Sequence, residues 1–168
     1  DVIQAKVKDV VGRAAAALGI TNGTVKGGLV DPQGEPHVIE LAASLSGGFF
    51  CTREIPLNHG VDFIGAAIRV ALGEDVSAEE LTPKQLTPVI QRYAFPSPGK
   101  VVKVSGAEDA RKIAGIAEVV VTAKEGDIIP PAGDRRPSAA MVLATGATRE
   151  AALEAANDAL AQIRIETA

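Results

Sequence analysis

Val38 to Phe49 reads VIELAASLSGGF: an apolar strand delivers one carboxylate, Glu40, onto a loop of small residues. A strand alternates its faces, so the spacing predicts Val38 and Glu40 on one side and His37, Ile39 and Leu41 on the other. A carboxylate beside an apolar core is costly unless a cation, a metal or amide donors satisfy it. Ala42 to Phe50 carries no further charge, and Ser46, Gly47 and Gly48 leave the backbone open to a ligand. Glycine lets amide groups approach an anion closely. Glu40 is therefore either a ligand-binding acid or a strand-terminal residue that caps the loop and meets water.

Upstream, Thr24 to Val30 and Pro36 to Leu41 flank DPQG, Asp31 to Gly34. Proline presets this turn and glycine accepts a positive φ, so the two segments read as a β-hairpin. Before it, Asp1 to Leu18 places Ile3, Val7, Val10, Ala14 and Ala17 at helical spacing, and Gly19 ends the helix. The chain starts at Asp1 and enters that helix at once, which leads us to expect a piece of a longer polypeptide.

Downstream, Val61 to Leu72 is expected to be a helix, with Ile64, Ala67, Ile68 and Ala71 on its apolar face and Asn58 or Asp62 near its cap. Glu74 to Pro88 is a polar connector broken by Pro83 and Pro88. Strands are expected at Val89 to Phe95, Lys100 to Val104, Glu118 to Ala123 and Ala139 to Thr145, with a short helix from Ala107 to Ala114. A final helix, Thr148 to Ile163, carries Ala152, Ala155, Ala156, Ala159, Leu160 and Ile163 on one face, and Arg164 to Glu166 can add an edge strand. The fold class is α+β, with antiparallel sheets flanked by helices.

A chain of 168 residues can bury a substantial core. Aromatic residues make up only 3%, so that core must be built from Ala, Val, Ile and Leu. Lys and Arg number 17 against 21 Asp and Glu, a net charge of −4, and the basic residues are dispersed. This argues against nucleic acid and against an anionic membrane as partners. The single cysteine, Cys51, excludes an internal disulfide and a cysteine-rich metal site, and the expected compartment is the cytoplasm.

The order of helix, glycine, hairpin, VIE, glycine-rich loop and NHGVDFIGAAIRVALGE, Asn58 to Glu74, resembles the C-terminal part of an ATP-grasp ligase's nucleotide-binding region. PSPGKVVKV, Pro96 to Val104, and the tail ATGATREAALEAANDALAQIRI are similar to the closing domain of biotin carboxylase and its relatives. The resemblance implies residues 1–88 as the C-terminal lobe of the ATP-grasp region and 89–168 as a small closing domain. It also implies ATP and magnesium as cofactors, with small carboxylate and amine substrates joined through an acyl phosphate. Glu40 matches a magnesium ligand, Lys26, Glu40 and Leu41 fall on the nucleotide side, and Ser44, Ser46, Gly47 and Gly48 on the acyl-acceptor side.

Departures from that pattern are plain. Gly23 to Val30 holds no acid, and its charged residue is Lys26. If Lys26 pairs opposite Glu40, an ammonium lies where a second carboxylate or the metal belongs. Ala42 and Ser44 stand where the family has Asn and Arg, removing a metal or phosphate contact and a guanidinium clamp. The expected function is thus a C-terminal ligase fragment that is inactive alone. The alternative is a degenerate, non-catalytic domain that binds a partner or another copy of itself as a homodimer.

Other candidates are weaker. His37 and His59 lack ligands at zinc spacing, so an edge-strand residue and a turn residue are expected. Cys51, near Arg53, reads as a small buried apolar side chain. Arg135 and Arg136 form a basic pair in a loop that Asp127 and Asp134 can neutralise.

Overall fold

The computed structural model describes residues 2–131 and 138–168. Arg135, Arg136 and Asp134 lie outside the described residues. The chain divides into two compact units, Asp1–Pro56 with Gly60–Pro83, and Leu57–His59 with Lys84–Ala168. All strand pairings are antiparallel and helices accompany them, the α+β class expected.

In the first unit, α1 spans Val2–Ala17. Val7, Val10 and Ala14 are half-buried as their spacing predicts, whereas Ile3 and Ala17 are exposed. The hairpin follows, with β1 at Lys26–Val30 and β2 at His37–Ala42. Gly34 closes its turn at φ 81. The Lys6 ammonium of α1 holds this turn, donating to the Gly34 carbonyl at 2.9 Å and to the Glu35 carboxylate.

The register differs from expectation. Lys26 pairs with Ala42, Gly28 with Glu40 and Leu29 with Val38, which leaves Ile39 as an extra residue in β2. A bulge sets two residues against one and breaks the alternation of faces. Ile39 and Glu40 consequently both lie exposed, while Val38 and Leu41 are half-buried. Glu40 therefore does not share a face with Val38, and glycine rather than Lys26 stands opposite it.

Phe50–Glu54 is a π-helical segment that runs into α2, Ile55–His59. The spacing assigned this stretch no element; Pro56 masks it, although proline is tolerated in a first helical turn. Helix α3 spans Phe63–Ala71 and is capped by Asp62, whose carboxylate accepts from the Gly65 amide at 2.8 Å. Ile64 and Ala67 of the expected face are half-buried, as are Phe63 and Val70, whereas Ile68 is 55% exposed and Ala71 is also exposed. Arg69 organises the connector beyond, donating to Glu74 at 3.1 Å, to the Asp75 carbonyl at 3.0 Å and to Glu80.

The second unit contains the principal core. One sheet has the order β3 (Val89–Ala94), β7 (Ala140–Thr145), β5 (Ile116–Val121), and another β6 (Ile128–Ile129), β4 (Gly99–Ser105), β8 (Arg164–Thr167). Central β7 is a continuous small apolar run, with Val142, Leu143 and Ala144 fully buried. Such runs suit strands covered on both faces. Helix α5, Arg149–Gln162, buries Ala152, Ala156 and Ala159, and α4, Ala107–Arg111, adds Ala110. Ala110, Val119, Val142 and Ala159 form one cluster, and Val101, Ala123, Ile129 and Ala139 another. Thr148 caps α5 by accepting from the Ala151 amide at 3.1 Å.

Gly106 is fixed by this packing. At φ 84, a Cβ there would lie 1.8 Å from the Gln162 carbonyl oxygen. Asn58, the alternative cap for α3, instead donates to the Thr87 carbonyl, while the Thr87 amide donates to the Asn58 carbonyl at 2.9 Å.

Candidate functional site

Several of the expected site residues converge in the first unit. Lys26, Ser44 and Ser46 line a cavity of about 250 Å³, together with Phe50, Cys51, Ile55 and Phe63. The bulged hairpin presents Lys26 at its near end, the loop after β2 supplies both serines, and the π-helical segment turns Cys51 inward. Cys51 is buried, as expected for a small apolar side chain. Lys26 and two serines set among apolar residues make an amphipathic lining. The contribution of Phe50, Cys51, Ile55 and Phe63 escaped the sequence analysis. The i, i+4 spacing of Cys51 and Ile55 was its available signal, obscured by Pro56.

Glu40 lies outside that cavity's lining but next to one of its members. Lys26 Nζ approaches Glu40 Oε1 at 3.9 Å, a diagonal pair across the hairpin, with the Glu40 side chain 68% exposed. Its stem crosses Gly28, where an added Cβ would lie 3.3 Å from Glu40 Cγ. Leu41 is half-buried on the other side, over Gly27, whose added Cβ would lie 3.1 Å from Leu41 Cδ1. Gly47 and Gly48 form the turn beyond Ser46, with Gly48 at φ 66 and Phe49 at φ 67.

Electrostatics vary around this frame. Burial pushes the Glu54 carboxyl above its usual range, and the residue is half-exposed. Hydrogen bonding and charge from Lys6 hold the Glu35 carboxyl below that range. His37 is exposed on β2, and His59 ends α2, where its carbonyl accepts from the Lys84 amide at 2.8 Å. Asp127 holds a local turn by accepting from the Lys124 amide at 2.8 Å.

No group of three or more His, Cys, Asp or Glu side chains among the described residues could hold a metal ion. Magnesium, however, is commonly bound through one or two carboxylates together with substrate phosphates and water. The exposed Glu40 carboxylate meets that smaller requirement as a single ligand. The position opposite it is glycine, so the hairpin offers no second acid there.

Residues 92–168 match the family described as L-amino acid ligase C-terminal domain 2. The phosphoribosylglycinamide synthetase of Anaerococcus prevotii superposes with a TM-score of 0.83 at 18% identity, over 100% of this chain and 43% of that one. The chain carries the fold of the C-terminal part of ATP-grasp ligases. The L-amino acid ligase of Bacillus licheniformis has a TM-score of 0.81 at 20% identity, over 99% of this chain and 41% of its own. For the N5-carboxyaminoimidazole ribonucleotide synthetase of Thermotoga maritima the values are 0.69, 18%, 96% and 42%. The chain thus spans about two fifths of the length of these structural relatives. No curated protein sequence matches it. No helix among its described residues is long and apolar enough to cross a membrane.

Proposed function

We propose that the chain is the C-terminal part of a cytoplasmic ATP-grasp ligase, in which residues 1–88 contribute half of an ATP and magnesium cleft and residues 89–168 form the closing domain. The observation that carries this reading is the meeting of Lys26, Ser44 and Ser46 at one cavity beside Glu40. The substrates of the complete enzyme are a small carboxylate and an amine.

In this reading Lys26 binds an anionic oxygen, and the Ser44 and Ser46 hydroxyls orient a polar group of the acyl acceptor. Gly47 and Gly48 keep the adjoining backbone accessible, while Phe50, Ile55 and Phe63 exclude water. Leu41 supplies an apolar surface on the nucleotide side. Glu40 would hold magnesium with phosphate oxygens, and the bound ion would neutralise charge during phosphoryl transfer. The chain alone, with half a cleft, does not turn over.

ADP release with ATP and mixtures of amino acids tests the proposal on the complete protein. The expected result is turnover by the complete protein and none by this chain, with Glu40→Gln lowering turnover about ten- to a hundredfold. Turnover by residues 1–168 alone would overturn the claim of inactivity. A complete protein that binds no ATP would instead favour a degenerate binding or dimerising module, the reading supported by glycine opposite Glu40 and by Ala42 and Ser44.

A further inference from the structure

Asn22 and Gly23 stand in the link between α1 and β1, at a bend that belongs to neither helix nor strand. Both residues are exposed, and a Cβ added to Gly23, at φ 103, would meet nothing within 4 Å. The Asn22 side chain turns back on the chain that follows it: its Oδ1 accepts from the Gly23 amide at 2.9 Å. The carboxamide carbon bonded to that oxygen is thereby held beside the nitrogen that would attack it. The Gly23 nitrogen, the Asn22 carbonyl carbon, Cα, Cβ and Cγ would close a small imide ring. Glycine, without a Cβ, obstructs that closure least.

The other two asparagines are held differently. Asn58 lies in α2 and donates to the Thr87 carbonyl, whereas Asn157 lies in α5 and its Oδ1 accepts from Arg92 Nε at 3.2 Å. Within a helix the following amide points along the axis to a carbonyl of the preceding turn, away from the side chain.

We propose that Asn22–Gly23 is a covalent modification site, where the backbone drives spontaneous deamidation. The Gly23 nitrogen loses its proton to solvent base and attacks Asn22 Cγ. The N–Cγ bond forms as the Cγ–Nδ2 bond breaks, and Nδ2 leaves as ammonia after taking a proton from water. Water then adds to either carbonyl of the cyclic imide and opens it. One opening gives aspartate; the other gives isoaspartate, in which the main chain runs through Cβ and Cγ. The steps need no cofactor and are independent of any ligase activity.

Either product adds one negative charge, taking the formal net charge from −4 to −5. The new carboxylate stands at the rim of a cavity of about 460 Å³ that Asn22, Gly23 and Thr24 line with Leu45, Ala67 and Val70. Isoaspartate also lengthens the main chain by one methylene shortly before β1, where Val25 and Lys26 line the cavity shared with Ser44 and Ser46.

The test ages the 168-residue chain in mildly alkaline buffer and follows its tryptic peptides by mass spectrometry, with enzymatic methylation to detect isoaspartate. Conversion is expected at Asn22, with isoaspartate and aspartate both formed. An exposed bend needs no local unfolding before it reacts, so the rate should lie within about threefold of that of a free peptide spanning residues 20–25. Asn58 and Asn157 should remain unconverted over the same period. Asn22→Gln, whose longer side chain would need a larger ring, should abolish the charge shift seen on ion exchange. A rate below that range would overturn the proposal, because the fold would then be protecting the site. Aspartate without isoaspartate would overturn the cyclic route. Conversion of Asn58 or Asn157 as fast as Asn22 would overturn the role given to local geometry.

Discussion

The two units use similar small apolar residues to different ends. In the second, β7 is buried on both faces and α5 lays Ala152, Ala156 and Ala159 against its sheet, so two apolar clusters close within that unit. In the first, the buried apolar residues among those described are Cys51 and Val61. Ile39, Ile68 and Leu72 there stay exposed. Stability resides in one unit while the candidate site resides in the other. A two-stranded hairpin is marginal without further packing, and a site built on it gains freedom to adjust at the cost of rigidity.

The largest expected effect breaks the comparison at its core. Leu143→Ala removes a fully buried side chain from β7 and should cost about 2–5 kcal/mol. Ile68→Ala on α3, where the side chain is 55% exposed, should cost less than about 0.5 kcal/mol. Urea unfolding of both variants measures the contrast, and similar losses would refute it.

Next comes the position opposite Glu40. Gly28→Asp supplies a second carboxylate facing the first, with only a flexible side chain in its way. Mn²⁺ affinity should rise about tenfold, worth roughly 1.4 kcal/mol. An unchanged affinity in calorimetry would mean that the register of the bulge does not govern metal binding.

Helix caps probe local stability on each side. Asp62→Ala and Thr148→Ala each delete one capping acceptor and should cost about 1 kcal/mol. Amide hydrogen exchange should accelerate throughout α3 in the first variant. In the second, acceleration should stay confined to the opening turn of α5, because buried alanines still anchor that helix.

The smallest effects are pH-dependent and of opposite sign. Glu35 has a depressed pKa in the folded chain, so its tie to Lys6 stabilises above the ordinary carboxylate value of 4.5 and is lost as pH falls through the folded pKa. Exchange of the α1 amides should rise in acid, and Glu35→Gln should remove that dependence. Glu54 has a raised pKa from burial, so its ionised form destabilises at neutral pH and falling pH relieves it. Glu54→Gln should raise the melting temperature slightly at pH 7 and leave it unchanged at pH 4.

Most of the second unit was legible residue by residue. Alternation and breakers located β3, β4, β5 and β7, the Thr148 cap marked α5, and the alanine spacing identified its buried face. Two-residue β6 is too short for any period to register. In the first unit, helical spacing located α1 and α3, but Ile68 and Ala71 of the expected α3 face lie exposed. Lys26, Ser44 and Ser46, expected at a site from the family resemblance, line one cavity; its aromatic and aliphatic walls were hidden in a helical stretch interrupted by Pro56.

Sequence alone was enough for the α+β class, for the hairpin that carries Glu40 and for the absence of an acid between Gly23 and Val30, because periodicity, turn chemistry and residue type are local properties. The partner of Glu40 was not a local property. Gly28 stands across the hairpin from Glu40, with Ile39 as an extra residue in β2, and cross-strand register emerges only when two strands pair. That register makes the Lys26–Glu40 pair diagonal and leaves an exposed carboxylate over bare backbone.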